Sequence, residues 1–121
     1  MRAIKYDCQK KTIEEIQLEN TLESFYKAIG NGCDTMENAF EFDYNGKSHT
    51  VIVDENGRIS RNPIGGVILK GIMPLVGNVI VVGFDEDSGN AVSATIAMAD
   101  AQLFLDRFLS REESALLQLK A

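Results

Sequence analysis

Arg107 and Arg111 stand four residues apart in a stretch of helical spacing. On one helix face two guanidinium forks at that spacing can grip the same phosphate or pyrophosphate in bidentate fashion, as a lysine ammonium does not. The spacing equally suits exposed ion pairs with Asp106, Glu112 or Glu113. Phe84 closes an apolar run just before the polar loop 85–90, where its ring could stack on a base or simply fill the core. Within that loop Ser88, Gly89 and Asn90 offer a hydroxyl, a backbone amide and a carboxamide, since turns with free amides can cradle anions. Asp85, Glu86 and Asp87 argue against a phosphate at the loop tip, and an ordinary Asp/Gly hairpin turn explains the same residues.

Arg58 and Arg61 flank another turn near Gly65 and Gly66, but no Gly-Lys-Ser/Thr ending follows, so this is no P-loop. His49 has no Ser, Cys or carboxylate at a catalytic spacing and reads as structural. Cys8 and Cys33 are isolated and, with one histidine, make no zinc pattern; they read as reduced thiols. The acidic residues are scattered without a metal-ligand or paired-carboxylate spacing. No metal or other cofactor is therefore expected, and binding without turnover is the simplest chemistry.

The elements that must position these groups follow from periodicity. The 121 residues suit one domain with its own core. Segments 2–7 and 12–18 read as strands of a hairpin, and Asn20-Thr-Leu-Glu23 opens a short helix that Gly30 ends. Met36 to Phe42 alternates, with Met36, Asn38, Phe40 and Phe42 on one side; Asn45-Gly46 turns it into 48–53, and a second turn leads to Arg58-Ile59, a meander. Segment 60–74 reads as loops with brief extended pieces. Asn78 to Phe84, apolar on both faces, is the expected central strand, with 91–95 as its return. A long helix begins near Met98, with Met98, Ala101, Leu105, Phe108 and Leu109 on one stripe that can face the sheet. Leu103, Phe104, Arg107 and Arg111 share a face that suits a partner or a ligand wall, unless Ser110 caps a separate final helix and the arginines flank a kink. The expected class is α+β: an antiparallel sheet or meander, a short N-terminal helix and a long C-terminal helix, kinked if Ser110 caps.

A net charge of −6, with 18 acidic against 12 basic residues, disfavours DNA, RNA or anionic membranes as partners. No apolar run reaches the roughly 20 residues of a membrane span and the N-terminus lacks a signal-peptide core, so a soluble cytoplasmic protein is expected.

Met1-Arg-Ala-Ile4, Glu19 to Glu23, Asp54 to Arg58, Val79 to Gly83 and Arg107-Phe108 together resemble a group of small phage-borne domains, many without assigned function. The placement of Arg58, Phe84, Asn90, Arg107 and Arg111 resembles the first anti-Thoeris family of phages, sponges that hold cyclic ADP-ribose isomers without cleaving them. The resemblance implies a homodimer in the infected bacterial cell. Arg107 and Arg111 would neutralise the pyrophosphate, Phe84 would stack on adenine and Asn90 would bond the base or ribose. It further implies that a hexamer could hold cyclic oligonucleotides of the CBASS pathway at a second site, for which Arg58 and Arg61 are the candidates. A protein-binding inhibitor with an acidic surface and a non-enzymatic structural domain are the competing classes.

Overall fold

The computed structural model describes residues 1–59 and 62–120. Its elements, in order, are β1 (Arg2–Asp7), β2 (Thr12–Gln17), α1 (Leu22–Ile29), β3 (Met36–Tyr44), β4 (Lys47–Asp54), a 3-10 turn (Gly57–Ile59), β5 (Gly66–Leu69), β6 (Leu75–Val76), β7 (Val79–Phe84), β8 (Ala91–Val92), α2 (Met98–Phe104), β9 (Leu105–Leu109) and α3 (Arg111–Lys120). The strands form two antiparallel sheets. The larger runs β2-β1-β7-β4-β3, with β8 also on β7, and the smaller runs β6-β5-β9. No described helix is long and apolar enough to cross a membrane.

β7 lies in the middle of the larger sheet, as its two apolar faces require. Val79 and Val81 point into a core shared with Ile4, Tyr6, Val51, Val67, Leu69 and Ala101, between the two sheets and α2. Ile80 and Val82 point the other way, into a second core with Phe25, Ile29 and Ile52 under α1. The layers are thus α1, the large sheet, then the small sheet with α2. α1 starts one residue later than the Asn20–Glu23 capping box implies: Thr21 is its N-cap and its hydroxyl accepts from the Ser24 amide. Asn78, itself buried, ties the layers together. Its Oδ1 accepts from the Cys8 amide at 2.9 Å, and its Nδ2 donates to the Ile29 carbonyl at 2.9 Å.

Four expectations are corrected. First, the long C-terminal helix does not exist. α2 covers only seven residues and ends at Leu105, whose own N–H closes on Gln102. The chain then runs as strand β9 beside β5, Val67 opposite Phe108 and Ile68 opposite Arg107. The residues 105–109 keep Leu105, Phe108 and Leu109 on the core by means of an irregularity in the ladder between Ile68 and Leu69, so a helix-like stripe is satisfied by a kinked strand. Ser110 does cap a separate helix: its hydroxyl accepts from the Glu113 amide and its own amide donates to the Glu113 carboxylate, each at 3.1 Å.

Second, residues 36–59 are not a meander. β3 and β4 form the Asn-Gly hairpin, Asn45 and Gly46 both at positive φ, but the second neighbour of β4 is β7 and the chain after Gly57 makes a 3-10 turn. Third, Met36, Asn38, Phe40 and Phe42 do not share a face. The ladder slips between Asn38, opposite Ile52, and Phe40, opposite Val51. This bulge sends Met36 and Asn38 toward α1, and Phe40 and Phe42 toward the other layer. Fourth, the return strand after the loop is only Ala91–Val92; beyond it, the Ala94 amide bonds the Arg2 carbonyl at 2.8 Å.

The weakly patterned segment 60–74 holds β5, the middle strand of the small sheet. Gly66 is there for close approach: a Cβ would lie 2.3 Å from the Leu75 carbonyl oxygen.

Candidate functional site

Phe84 and Asn90 meet in a cleft of about 310 Å3 on the α1 side of the large sheet. Its floor is Thr50 and Ile52 of β4 with Met36 and Asn38 of β3; its far wall is Asn20, Thr21, Leu22 and Phe25 at the start of α1. Gly89 and Ala91 complete the side carrying Asn90. None of these lining side chains is charged, although the chain as a whole carries −6. Thr50 is 3% exposed, and among the described residues its Oγ1 is the buried side-chain polar atom that has no hydrogen-bond partner. A buried hydroxyl without a partner costs roughly 1–3 kcal/mol, so its persistence at the floor of a cleft calls for an explanation.

The loop between β7 and β8 is stabilised from within. The Asp85 amide donates to the Asn90 carbonyl and the Gly89 amide to the Asp85 carbonyl. The Asp85 carboxylate accepts from the Ser88 hydroxyl at 2.8 Å and the Asp87 amide at 3.1 Å, which holds its pKa below the ordinary value, with the Ser88 bond the main cause. Ser88 also accepts from the Asn90 amide. The anion in this turn is therefore the protein's own carboxylate. Ser88 is committed to it, whereas Asn90 lines the cleft. On the other flank of Phe84 a second hollow is lined by Asp85, Glu86, Asp87, Lys47 and Ser48.

Arg107 and Arg111 are brought to a different corner, where β9 meets α3. Arg107 Nη2 lies 2.8 Å from Glu113 Oε2. This contact raises the Arg107 pKa and, with the Ser110 amide, lowers the Glu113 carboxyl to about 2. Arg111 is exposed at the first position of α3. Neither arginine lines the cleft of Phe84 and Asn90. Arg58 sits in a third place, a cleft of about 380 Å3 shared with Glu37, Asp54 and Glu55, where it donates to the Pro74 carbonyl at 3.1 Å. Arg61 lies outside the described residues.

His49 is structural, as its sequence context implies. It is fully buried, stacks on Phe42 with ring centroids 5.3 Å apart, and its Nε2 accepts from the Thr95 amide at 3.0 Å, which leaves Nδ1 to donate to the Lys47 carbonyl. Cys8 and Cys33 are free and buried in the two separate cores, and burial pushes both thiols up to about 11. Among the described residues no group of His, Cys, Asp and Glu is arranged to hold a metal ion.

Sequence reasoning missed Thr50 and Asn38. Thr50 hides in the apolar text of β4, and Asn38 is placed by a bulge that no turn residue announces. The available signal is a polar residue at a core-facing parity, Thr50 two before Ile52 and Asn38 two after Met36.

No curated protein and no solved structure matches the chain. A family model described as "Domain of unknown function (DUF3846)" matches residues 1–109, and the chain belongs to that family.

Proposed function

We propose that this protein is a phage anti-defence sponge that sequesters cyclic nucleotide immune signals, cyclic ADP-ribose isomers foremost, without cleaving them. The observation that carries the reading is the uncharged cleft in which Phe84 and Asn90 come together over the unpartnered Thr50 hydroxyl. An aromatic ring, carboxamides and hydroxyls are the groups that recognise a nucleoside, and they hold it without offering a nucleophile of shifted pKa. At about 310 Å3 the cleft is at the small end of ligand sites and suits one half of a dinucleotide-like ligand.

The pyrophosphate half would then lie beyond the cleft. Arg107 and Arg111 reach it in this reading from a second copy of the chain, so the working unit is a homodimer. The exposed Leu103 and Leu116, on the helices to either side of β9, suit such a contact. A sponge must keep free signal below the level that activates its effector, which asks for about −8 kcal/mol of binding or better.

The test is to incubate the purified protein with a cyclic ADP-ribose isomer, remove unbound ligand, and heat to denature. Intact ligand should return in stoichiometric amount. A hydrolysed product would make the protein an enzyme, and an empty protein would end the proposal. Native mass spectrometry of the same preparation should give two ligands per dimer.

A further inference from the structure

We infer that the hollow between β3 and the turn after β5 binds a small aromatic carboxylate, its ring among Phe40, Phe42 and Phe104 and its charge at Lys70. The hollow lies on the opposite face of the large sheet from the cleft beside α1, and the inference does not depend on the sponge reading.

Three observations carry it. The first is the bulge in β3. Under regular alternation Phe40 would share the face of Met36 and Asn38, but the slip between Asn38 and Phe40 turns it to the face of Phe42. There it stands on the edge strand of the large sheet, 43% exposed, with its ring stacked 6.4 Å from that of Phe42. Phe42 in turn meets Phe104 edge-on at 5.7 Å, so the exposed ring belongs to an aromatic wall instead of standing alone.

The second is the space itself. Phe40, Phe42, Phe104, Val51, Leu69 and Ile72 border about 260 Å3. That is below the range of drug-sized sites and fits one ring with a short chain.

The third is the charge at the rim, where Asp43 and Lys70 are the ionisable residues. Asp43 follows Phe42 along β3, and its carboxylate accepts at 3.2 Å from the hydroxyl of Ser48, its ladder partner, so it is held on the face away from the rings. Lys70 remains at the hollow. Its amide donates to the Phe104 carbonyl at 2.8 Å, which pins it beside that ring, and among the described residues its ammonium has no ion-pair partner. An unpaired cation on a flexible stem at the rim of an aromatic hollow matches an anion with an aromatic body.

NMR titration of the full chain with hydrocinnamate, its neutral amide and phenethylammonium tests this. Hydrocinnamate should bind with a dissociation constant on the order of 0.1–1 mM and move the signals of Phe40, Phe42, Phe104 and Lys70 most. The amide should bind about twofold to fivefold more weakly, and the ammonium more weakly still. Lys70→Gln should weaken the acid by that same factor and leave the amide unchanged, whereas Phe40→Ala should weaken both by about threefold to tenfold. Should Phe40→Ala disturb the fold, Phe40→Leu, which keeps the bulk and removes the ring, takes its place. Equal affinity for acid and amide, tighter binding of the ammonium, shifts centred on Phe25 and Phe84, or no binding below about 10 mM would each overturn the inference. So would Phe40 signals that move with the concentration of the free protein, since a second copy would then fill the hollow. None of these outcomes touches the capture of a cyclic ADP-ribose isomer, which is read separately.

Discussion

The cleft beside α1 and the corner where β9 meets α3 present opposite combinations of charge and hydrogen-bonding state. The cleft has no charge but holds a buried hydroxyl with nothing to bond. The corner holds charge in plenty, yet Arg107, Glu113 and Ser110 satisfy one another. Arginines attract attention in a sequence because they can grip phosphate, but a guanidinium already at 2.8 Å from a carboxylate must exchange one partner for another. A lone threonine attracts none, although its buried hydroxyl has no partner to give up. The two regions also hang on different parts of the fold, which gives a way to break them separately.

The largest effect is expected at Gly66. Gly66→Ala would place a Cβ 2.3 Å from the Leu75 carbonyl oxygen and 3.1 Å from Leu109 Cδ1, in the strand that carries β9. A destabilisation of about 3 kcal/mol is expected in urea unfolding, because backbone and not a flexible side-chain end must move. Hydrogen exchange should show the 105–109 amides opening first. If those amides stay protected, the arginine corner does not depend on β5.

Asn78→Ala should act on the other region. It leaves the Cys8 amide and the Ile29 carbonyl without their partner in a buried place, for a loss of about 2 kcal/mol. The expected signature is fraying of α1, the wall of the cleft, with β9 unaffected. Equal loosening of both regions would mean that the molecule opens as one unit and the contrast between them is only local.

The parts of this arrangement that could be read from the sequence are those set by local rules. β1, β2, α1, the Asn45-Gly46 hairpin and the central place of β7 follow from alternation, capping and turn chemistry, and the structure has them nearly to the residue. The small sheet was not legible, since β5 reads as loop text with glycines and β9 reads as helix. Leu105, Phe108 and Leu109 satisfy both a helical stripe and a kinked strand, and the partner that decides between them, β5, lies about forty residues earlier. That Phe84 and Asn90 lie close together was legible because a strand end and a turn are adjacent in sequence. Asn38 and Thr50 were not, because one depends on a bulge and the other on the absence of a neighbour.

Thr50→Val sharpens the comparison in the opposite direction to the first two variants. Removing an unpaired buried hydroxyl while keeping the volume should stabilise the ligand-free protein by about 1 kcal/mol. No ion is involved, so the gain should be the same at low and high salt. A gain that disappears at high salt would point to an electrostatic origin and contradict the neutral character of the cleft.

The smallest effect belongs to the corner and is a matter of pH. The Glu113 carboxyl sits at about 2 against an ordinary 4.5, held by the Arg107 guanidinium first and the Ser110 amide second. A depressed carboxylate contributes fully above its unfolded value and loses that contribution as protons arrive, so the window runs from about pH 4.5 down to about 2. Amide exchange in α3 should accelerate through that window, and Glu113→Gln should reproduce the loss at neutral pH. The same substitution frees Arg107, so sulfate binding at the corner, read from Arg107 side-chain chemical shifts, should strengthen by about two- to fivefold. The cleft lining carries no ionisable side chain, and adenosine affinity there should stay flat over the same range. If adenosine instead followed the Glu113 titration, the cleft and the corner would be one site within a single chain, and the need for a second copy to supply the arginines would disappear.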